Sequence, residues 1–435
     1  MYTKYIKEYL EFFNSKSDCE IYAVGGAVRD FLLGKEETKD LDLIFKGPES
    51  ELVSTLDKLK LEYKKIDPSS SYPIYQFRYK GDVIEISLPR KEKKINNSVN
   101  PHKNFVMEFS ENISLKEDAL RRDFTINALY MNKLGNILDP TMQGLENLKY
   151  KLLVPCSIAF LEDPLRIFRA LRFSSNGFKI SNSLVDFISN NSEYLEKEIN
   201  NLPVERLTGE FVKSLKCDNY RAFFYNFMRF NLDIKKFNFI RKMNDVPAGP
   251  KQFHGNHSVL EHSLGVMDRL NYSHNRLYAL MHDYGKIFTS KDILPHHYGH
   301  DKVGEEEVVK LLESLRFPRR EIDISSFIAR YHMSFGGYSF LRDTKKIQII
   351  KEAMKLDCIG SLVDVVQADS QSFTKDNQAE VLKIMKVLKL PASKIVDFDK
   401  LKDSKPSNIG QRVFQARLGL IREEIKGKSK SKTSL

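Results

Sequence analysis

Apolar residues change their spacing along this chain, and the change divides it. Between Glu20 and about Asp139 they come in short runs that alternate with polar residues, the period of strands with one buried face. Ile21–Val24 and Asp40–Phe45 are predicted strands. Gly25-Gly26 makes the turn after the first, and Ala27–Leu33 a helix that stops at Gly34. Pro73–Tyr79 and Val83–Leu88 alternate as the arms of a hairpin that turns at Gly81-Asp82. Residues 1–18 read as a short helix. Helical periodicity takes over near Ala119 and dominates from Leu145 onward. The predicted class is multi-domain, α/β plus all-α: a small mixed-sheet head, then a long helical neck, body and tail. The expected boundaries are 1–144 for the head, 145–249 for neck and body, 250–375 for a second helical domain and 376–435 for the tail, with a break at Gly249-Pro250. The polar, Lys- and Asn-rich stretch Lys91–Asn104 is expected to be a mobile loop. The end of the chain, from Lys426 to Lys432, is expected to be disordered.

Composition supports this division and adds a partner class. With 435 residues the chain is too long for one ordinary core, and 41% hydrophobic content excludes global disorder. Lys and Arg number 69 against 58 Asp and Glu, a net charge of +11 that favours a polyanionic partner, nucleic acid or an anionic membrane. No apolar run approaches a membrane span, and the N-terminal segment contains acids, so it reads neither as a secretory signal nor as a transit peptide. Nucleic acid is therefore favoured and a membrane partner is not expected. Cys19, Cys156, Cys217 and Cys358 lie far apart, as reduced thiols of a cytoplasmic protein would.

The candidate chemistry begins at Val24-Gly-Gly-Ala-Val-Arg-Asp30 and Asp40-Leu-Asp42. Residues i and i+2 of a strand share a face, so Asp40 and Asp42 would present two carboxylates side by side. Such a pair repels unless a cation sits between, and Mg²⁺ with phosphate is the natural partner. On Val83–Arg90, Glu85 and Ser87 face away from Ile84, Ile86 and Leu88, which offers Glu85 as a third carboxylate. Arg121 and Arg122 carry forked donors suited to a triphosphate. In Glu162-Asp-Pro-Leu-Arg-Ile-Phe-Arg-Ala-Leu-Arg172, Asp163 accepts and Arg166 donates, so together they could read the edge of a base. Arg169 and Arg172 follow on the same helical face as Arg166. Each piece alone has an ordinary reading: a turn, a surface acid pair, a salt-bridged helix, a solvated face. Their joint occurrence in this order points to one site.

The motifs GGAVRDFLLG with DLD, RRDFTINAL, Asp139-Pro140 and EDPLRIFRALRF resemble those of the class II tRNA nucleotidyltransferases, the group of the bacterial CCA-adding enzymes and their poly(A) polymerase relatives. The resemblance runs from Ile21 to about Arg422. It implies a polymerase-beta-like head in which Asp40 and Asp42 bind catalytic Mg²⁺ with Glu85 as third carboxylate. It places Gly26, Arg29, Arg122, Arg169 and Arg172 on the incoming triphosphate or its sugar. Asp163 and Arg166 would pair with the base of CTP and then of ATP. Leu202–Arg206 and Glu210 match a neck segment read as structural support. The Lys91–Asn104 loop lies where the family carries a flexible element that helps the switch from C to A addition.

A second constellation is histidine-rich. All of the chain's ten histidines except His102 fall between His254 and His332, and His282 adjoins Asp283. Imidazole with carboxylate suits a first-row transition metal. Phe253–His262, Leu277–Lys286, Pro295–Asp301, Arg330-Tyr-His332 and Ala368-Asp369 together resemble the HD phosphohydrolase domain attached to one subgroup of bacterial CCA-adding enzymes. The resemblance implies His262, His282, Asp283 and Asp369 as metal ligands, with Ni²⁺ or Mn²⁺ as suitable ions. His297, His300 and His332 would flank the substrate phosphate or a second metal. The implied activities are 2′,3′-cyclic phosphodiesterase, 2′-nucleotidase and phosphatase, which would clean damaged tRNA 3′ ends. Met333 and Ser370 depart from that subgroup, where an acid and a basic residue are usual.

The expected function is therefore template-independent addition of CCA to tRNA from CTP and ATP, by a monomer or homodimer. Arg412 and Arg417, on the closing helix, are candidates for the acceptor arm. The alternatives are a poly(A) polymerase, an enzyme adding only CC or only A, and, in another class, an RNA-repair hydrolase with an RNA-binding head.

Overall fold

The alternation near the N-terminus becomes a pair of antiparallel strands, β1 (Glu20–Val24) and β2 (Asp40–Lys46), in a computed structural model that describes residues 2–35, 40–66, 72–94, 105–370, 372–396 and 406–426. Five more strands complete the sheet: β3 (Tyr63–Lys65), β4 (Ile74–Tyr79), β5 (Asp82–Ser87), β8 (Tyr130–Met131) and β9 (Ile137–Leu138). The order is β3-β4-β5-β2-β1-β8-β9, and only β2 and β5 run parallel. That pairing sets Asp42 opposite Glu85 and Asp40 opposite Val83. The expected β4–β5 hairpin is present, with its turn one residue earlier than the sequence suggests. Lys80 and Gly81 both take positive φ, 50° and 93°, as a two-residue hairpin loop demands.

The Lys91–Asn104 expectation needs correction at its start. Arg90–Lys94 forms β6, which pairs antiparallel with β7 (Phe105–Phe109) as a separate two-stranded sheet. Lys91 also meets Glu117 at 2.7 Å, so charge pairing and a ladder hold what composition alone reads as loop. Residues 95–104 lie outside the described residues, as does the tail beyond Lys426.

The chain divides into two units, residues 1–234 and 235–435. In the first, Tyr22, Val24, Ile44, Ala119, Ala128 and Tyr130 form a core cluster that ties β1, β2 and β8 to the helix Leu115–Leu120. A capping box, Ser114 with Glu117, fixes the start of that helix just before Arg121 and Arg122. The helix Leu165–Ser175 buries Ile167, Phe168, Ala170 and Leu171 and packs on the helices Val204–Leu215 and Arg221–Phe230.

The second unit is all-helical among its described residues. Helices Val259–Asp268, Arg276–Met281, His300–Ser314, Arg319–Gly336 and Ile359–Asp369 surround the histidine cluster. Gly285 lets two backbones meet there, because a Cβ at that position would lie 2.0 Å from the His300 carbonyl oxygen. The long final helix, Pro406–Lys426, turns Arg417 inward to donate to the Leu390 carbonyl at 2.9 Å, so of the two candidate acceptor-arm arginines Arg417 has a structural partner. No described helix is long and apolar enough to cross a membrane.

Candidate active sites

In the first unit, the end of β1 delivers Gly25 at φ 79° into the start of the helix Gly26–Leu32. A Cβ on Gly25 would stand 3.4 Å from Asp42 Oδ2 and 3.7 Å from Arg122 Nη1. The positive φ is what calls for glycine here, since a Cβ would meet these atoms only at ordinary contact distances. The β2–β5 register puts Glu85 beside Asp42 on one face of the sheet, since directly paired residues share a face. Asp40 occupies the first position of β2; its side chain lies outside the described residues. Asp42 is exposed and Glu85 half-buried, an all-oxygen donor pair of the kind Mg²⁺ takes. The residues described therefore fit that ion.

Arg122 is held, not loose. Its Nη2 lies 3.0 Å from Asp118 Oδ2, and its Nε donates to the Tyr130 hydroxyl. Asp118 is wholly buried and also takes Arg121 at 2.8 Å and the Tyr130 hydroxyl at 2.6 Å. Burial alone would raise the Asp118 carboxyl, but the Arg122 and Arg121 guanidiniums and the Tyr130 hydroxyl hold it well below the ordinary carboxylate range. Sequence reasoning missed this residue, although its i+3 and i+4 spacing to the two arginines was there to read. Asp118→Asn should therefore cost roughly 3 kcal/mol of stability, since it leaves two crowded guanidiniums without their shared anion. Urea melting checks this. A loss below about 1 kcal/mol would show that the carboxylate is not what balances them.

A second network gathers the remaining arginines around Phe173. Arg29 lies 5.0 Å from the ring centre, Arg169 5.7 Å and Arg172 4.4 Å. Each is pinned by a polar partner. Arg29 donates to Asn127 at 2.6 Å and to Asp30 at 2.9 Å, Arg169 to Asp123 at 2.6 Å, and Arg172 to Glu210. Asn127 in turn donates to Asp123 at 2.9 Å, so Arg29 and Arg169 belong to one chain of contacts. Burial would raise Asp123, yet Arg169 and Asn127 keep it ionised, well below its usual range. Gly26 adjoins this patch, its absent Cβ 3.6 Å from Arg29 Nη2. Fixed guanidiniums of this kind are preorganised anion donors.

The structure does not pair Asp163 with Arg166. Arg166 is 7% exposed and its two terminal nitrogens donate to the carbonyls of Ala159 and Arg121. Asp163 instead has Arg206 near it, Nη2 to Oδ2 3.4 Å, with both side chains partly exposed. Arg206, which the sequence reading assigned to structural support, is thus the guanidinium beside Asp163. Glu210, from the same segment, does support: it holds Arg172 and Lys213.

In the second unit, six imidazoles form a file. Centroids run His254–His262 5.0 Å, His262–His282 5.4 Å, His282–His332 5.0 Å, His332–His300 5.5 Å and His300–His297 6.4 Å. The segment Pro247–Gly249 links the two ends. His297 Nε2 bonds the Pro247 carbonyl at 2.8 Å, and Gly249 has no Cβ because His254 fills that place.

Asp283 stands at the middle with its two oxygens facing different groups. Oδ2 lies 3.3 Å from His262 Nε2, 3.2 Å from His282 Nε2 and 2.7 Å from Lys286 Nζ. Oδ1 lies 3.3 Å from both His300 Nε2 and His332 Nε2. Asp369 Oδ1 closes the first side, 3.0 Å from His262 and 3.6 Å from His282. His282, His300 and His332 each bond a backbone carbonyl through Nδ1, at 2.7, 2.7 and 2.9 Å, which aims Nε2 inward. Those three Nε2 atoms and Asp283 Oδ1 are buried and lack hydrogen-bond partners. Orphaned buried ligand atoms are costly unless something joins them. The donor set fits a transition metal, on one or both sides of Asp283. His297 is turned aside, bonded to Thr289 and Pro247, and does not reach the ligand atoms.

Charge in this pocket is tightly balanced. Burial would lower His282, but Asp283 and Asp369 raise it to about 10, so a cation entering beside them would displace a proton. Burial, Lys286 and His262 push His254 down to about 4.

Two family models match the chain: a poly A polymerase head domain over residues 21–154 and an HD domain over residues 259–363. A multifunctional CCA protein of Mannheimia succiniciproducens is 33% identical over 349 residues, 78% of this chain and 79% of that protein. One of Legionella pneumophila subsp. pneumophila is 31% identical over 367 residues, 82% of this chain and 85% of that protein. Among solved structures, the Bacillus stearothermophilus CCA-adding enzyme in complex with CTP matches at TM-score 0.63 and 18% identity, covering 98% of this chain and 93% of that one. A tRNA nucleotidyltransferase complexed with a primer tRNA and an incoming ATP analog matches at TM-score 0.55 and 21% identity, covering 90% and 100%. At such identities the two structures speak for the fold.

Proposed function

We propose, for a chain that belongs to the family of the multifunctional CCA proteins, that its first unit builds the 3′-terminal CCA of tRNA from CTP and ATP without a template. The chain is a tRNA nucleotidyltransferase; the choice of nucleotides and the roles of individual residues are our reading. The observation that carries it is the convergence of Asp42 and Glu85 with Gly25 and the anchored Arg122.

Asp40, Asp42 and Glu85 would hold Mg²⁺, which supplies charge for the primer's 3′-oxygen and the leaving pyrophosphate. The chain's own residues do the positioning. The open backbone at Gly25-Gly26 admits phosphate oxygens close to the helix start. Arg122 and the Phe173-centred arginines neutralise the triphosphate, and their carboxylate partners keep them from moving as charge develops. Asp163 accepts from the base, and Arg206 beside it is as well placed to donate as Arg166 was expected to be. The 3′-oxygen bonds to the α-phosphorus as the bond to pyrophosphate breaks, and no protein nucleophile is required.

The second unit would hydrolyse phosphate esters at RNA 3′ ends. His262, His282, Asp283 and Asp369 would hold a divalent metal such as Mn²⁺ or Ni²⁺, which supplies an activated water. Water opens a 2′,3′-cyclic phosphate at one P–O bond, the proton passes to the departing ribose oxygen, and a second water releases phosphate. What supports this reading is the set of orphaned, inward-facing ligand atoms around Asp283.

The test uses tRNA transcripts ending before CCA, after C and after CC, each with Mg²⁺ and with CTP, ATP or both. Growth that stops at CCA from all three is expected. Long A tails would replace the reading with a poly(A) polymerase. Addition to only one or two of the three transcripts would indicate a partial enzyme.

A further inference from the structure

Two exposed aromatic side chains, Phe253 and Tyr298, adjoin the two end members of the histidine file. Its end members, His254 and His297, are half-buried and do not join the ligand atoms around Asp283. Pro247–Gly249 brings these two ends to one place. Immediately before His254 comes Phe253, 75% exposed on the short helix Lys251–His254. Immediately after His297 comes Tyr298, 79% exposed.

The backbone explains why Tyr298 faces out. His297 bonds inward to Thr289 and Pro247, Gly299 turns at φ 72°, and His300 is drawn in by its bond to the His297 carbonyl. Tyr298 sits at the corner between them. Its ring lies parallel to the exposed His296 ring, 9° apart in tilt and 5.7 Å between centres. A flat ring held in place beside a phosphate site is what stacks an unpaired base, and such stacking tolerates any base.

We infer that Phe253 and the Tyr298–His296 pair form a stacking rim that holds the terminal nucleobase of an RNA whose 3′-phosphate enters the histidine pocket. The inference rests on the hydrolase reading of the second unit. It adds to that reading the side chains that would hold the base of the substrate, with little preference among bases.

The test is steady-state hydrolysis by the full chain with Mn²⁺. One substrate is 2′,3′-cyclic AMP; the other is methyl ribofuranoside 2′,3′-cyclic phosphate, which has the same phosphate and no base. Tyr298→Ala and Phe253→Ala should each raise the KM for the nucleotide about tenfold with kcat within about twofold. Tyr298→Phe should keep the wild-type KM, and none of the variants should change hydrolysis of the base-free compound. A nucleotide KM unmoved in both alanine variants, with both substrates hydrolysed, overturns the rim alone. Hydrolysis of neither substrate by the wild type overturns the hydrolase reading and the rim with it.

Discussion

Asp42→Ala abolishes nucleotide addition, by at least about a thousandfold in kcat, and leaves cyclic-phosphate hydrolysis at its wild-type rate. Asp42 is exposed, so its removal costs the fold little. Its Oδ2 lies 3.4 Å from where a Cβ on Gly25 would stand, beside Arg122 Nη1 at 3.7 Å, and one charged metal ligand at a phosphoryl-transfer centre is worth several kcal/mol, of which about 1.4 corresponds to each tenfold. Primer extension with labelled CTP reads the loss. If Asp42→Ala kept more than about a tenth of wild-type addition, the Asp42–Glu85 face would not be where the chemistry happens.

His282→Ala has the opposite signature. It removes a buried imidazole that faces both Asp283 and Asp369. Hydrolysis should fall to background, and the metal content of the purified chain should drop. Nucleotide addition should stay within about twofold. Cutting a ligand out of a metal site commonly costs more than a second-sphere change, which itself costs 10–100-fold in affinity. Retention of metal and hydrolysis would show that the imidazole only packs. Metal content is worth measuring on its own, because it separates a lost ligand from a lost catalytic step. The same measurement on His300→Ala and His332→Ala asks whether Asp283 holds a cation on its other side.

How much of this could be read in advance depends on distance along the chain. The Asp42 side of the head was legible because strand period and glycine turns are local signals. Its pairing with Glu85 rests on a parallel register between β2 and β5 that no local pattern encodes. The Asp163 neighbourhood shows the limit most clearly. Asp163 and Arg166 are expected to read a base together, and the fold sets the Arg166 guanidinium on the carbonyls of Ala159 and Arg121. Arg206, 43 residues away, is the guanidinium that lies near Asp163, and only packing of two helices reveals it. Asp118 is readable from spacing alone, three and four residues before the two arginines, though it stands in a charge-rich run.

In the second unit, crowding of His and Asp announced the site, and His262, His282, Asp283 and Asp369 do converge. The sequence could not say that Asp283 faces two ways, nor that His297 turns to a carbonyl while His300 and His332 reach the ligand atoms. Such distinctions lie in side-chain direction, which burial and backbone carbonyls decide.

On this reading one chain carries two separate metal-dependent sites, one to restore an RNA 3′ end and one to extend it. The direct measurement is a single substrate that needs both: tRNA ending in CC with a 2′,3′-cyclic phosphate, given Mg²⁺, Mn²⁺ and ATP. The wild type should convert it to CCA-ended tRNA. Asp42→Ala should clear the phosphate and add nothing, His282→Ala should leave the substrate untouched, and the two variants mixed should regain the product. Loss of both steps in either variant, or A addition by His282→Ala without removal of the phosphate, would contradict it.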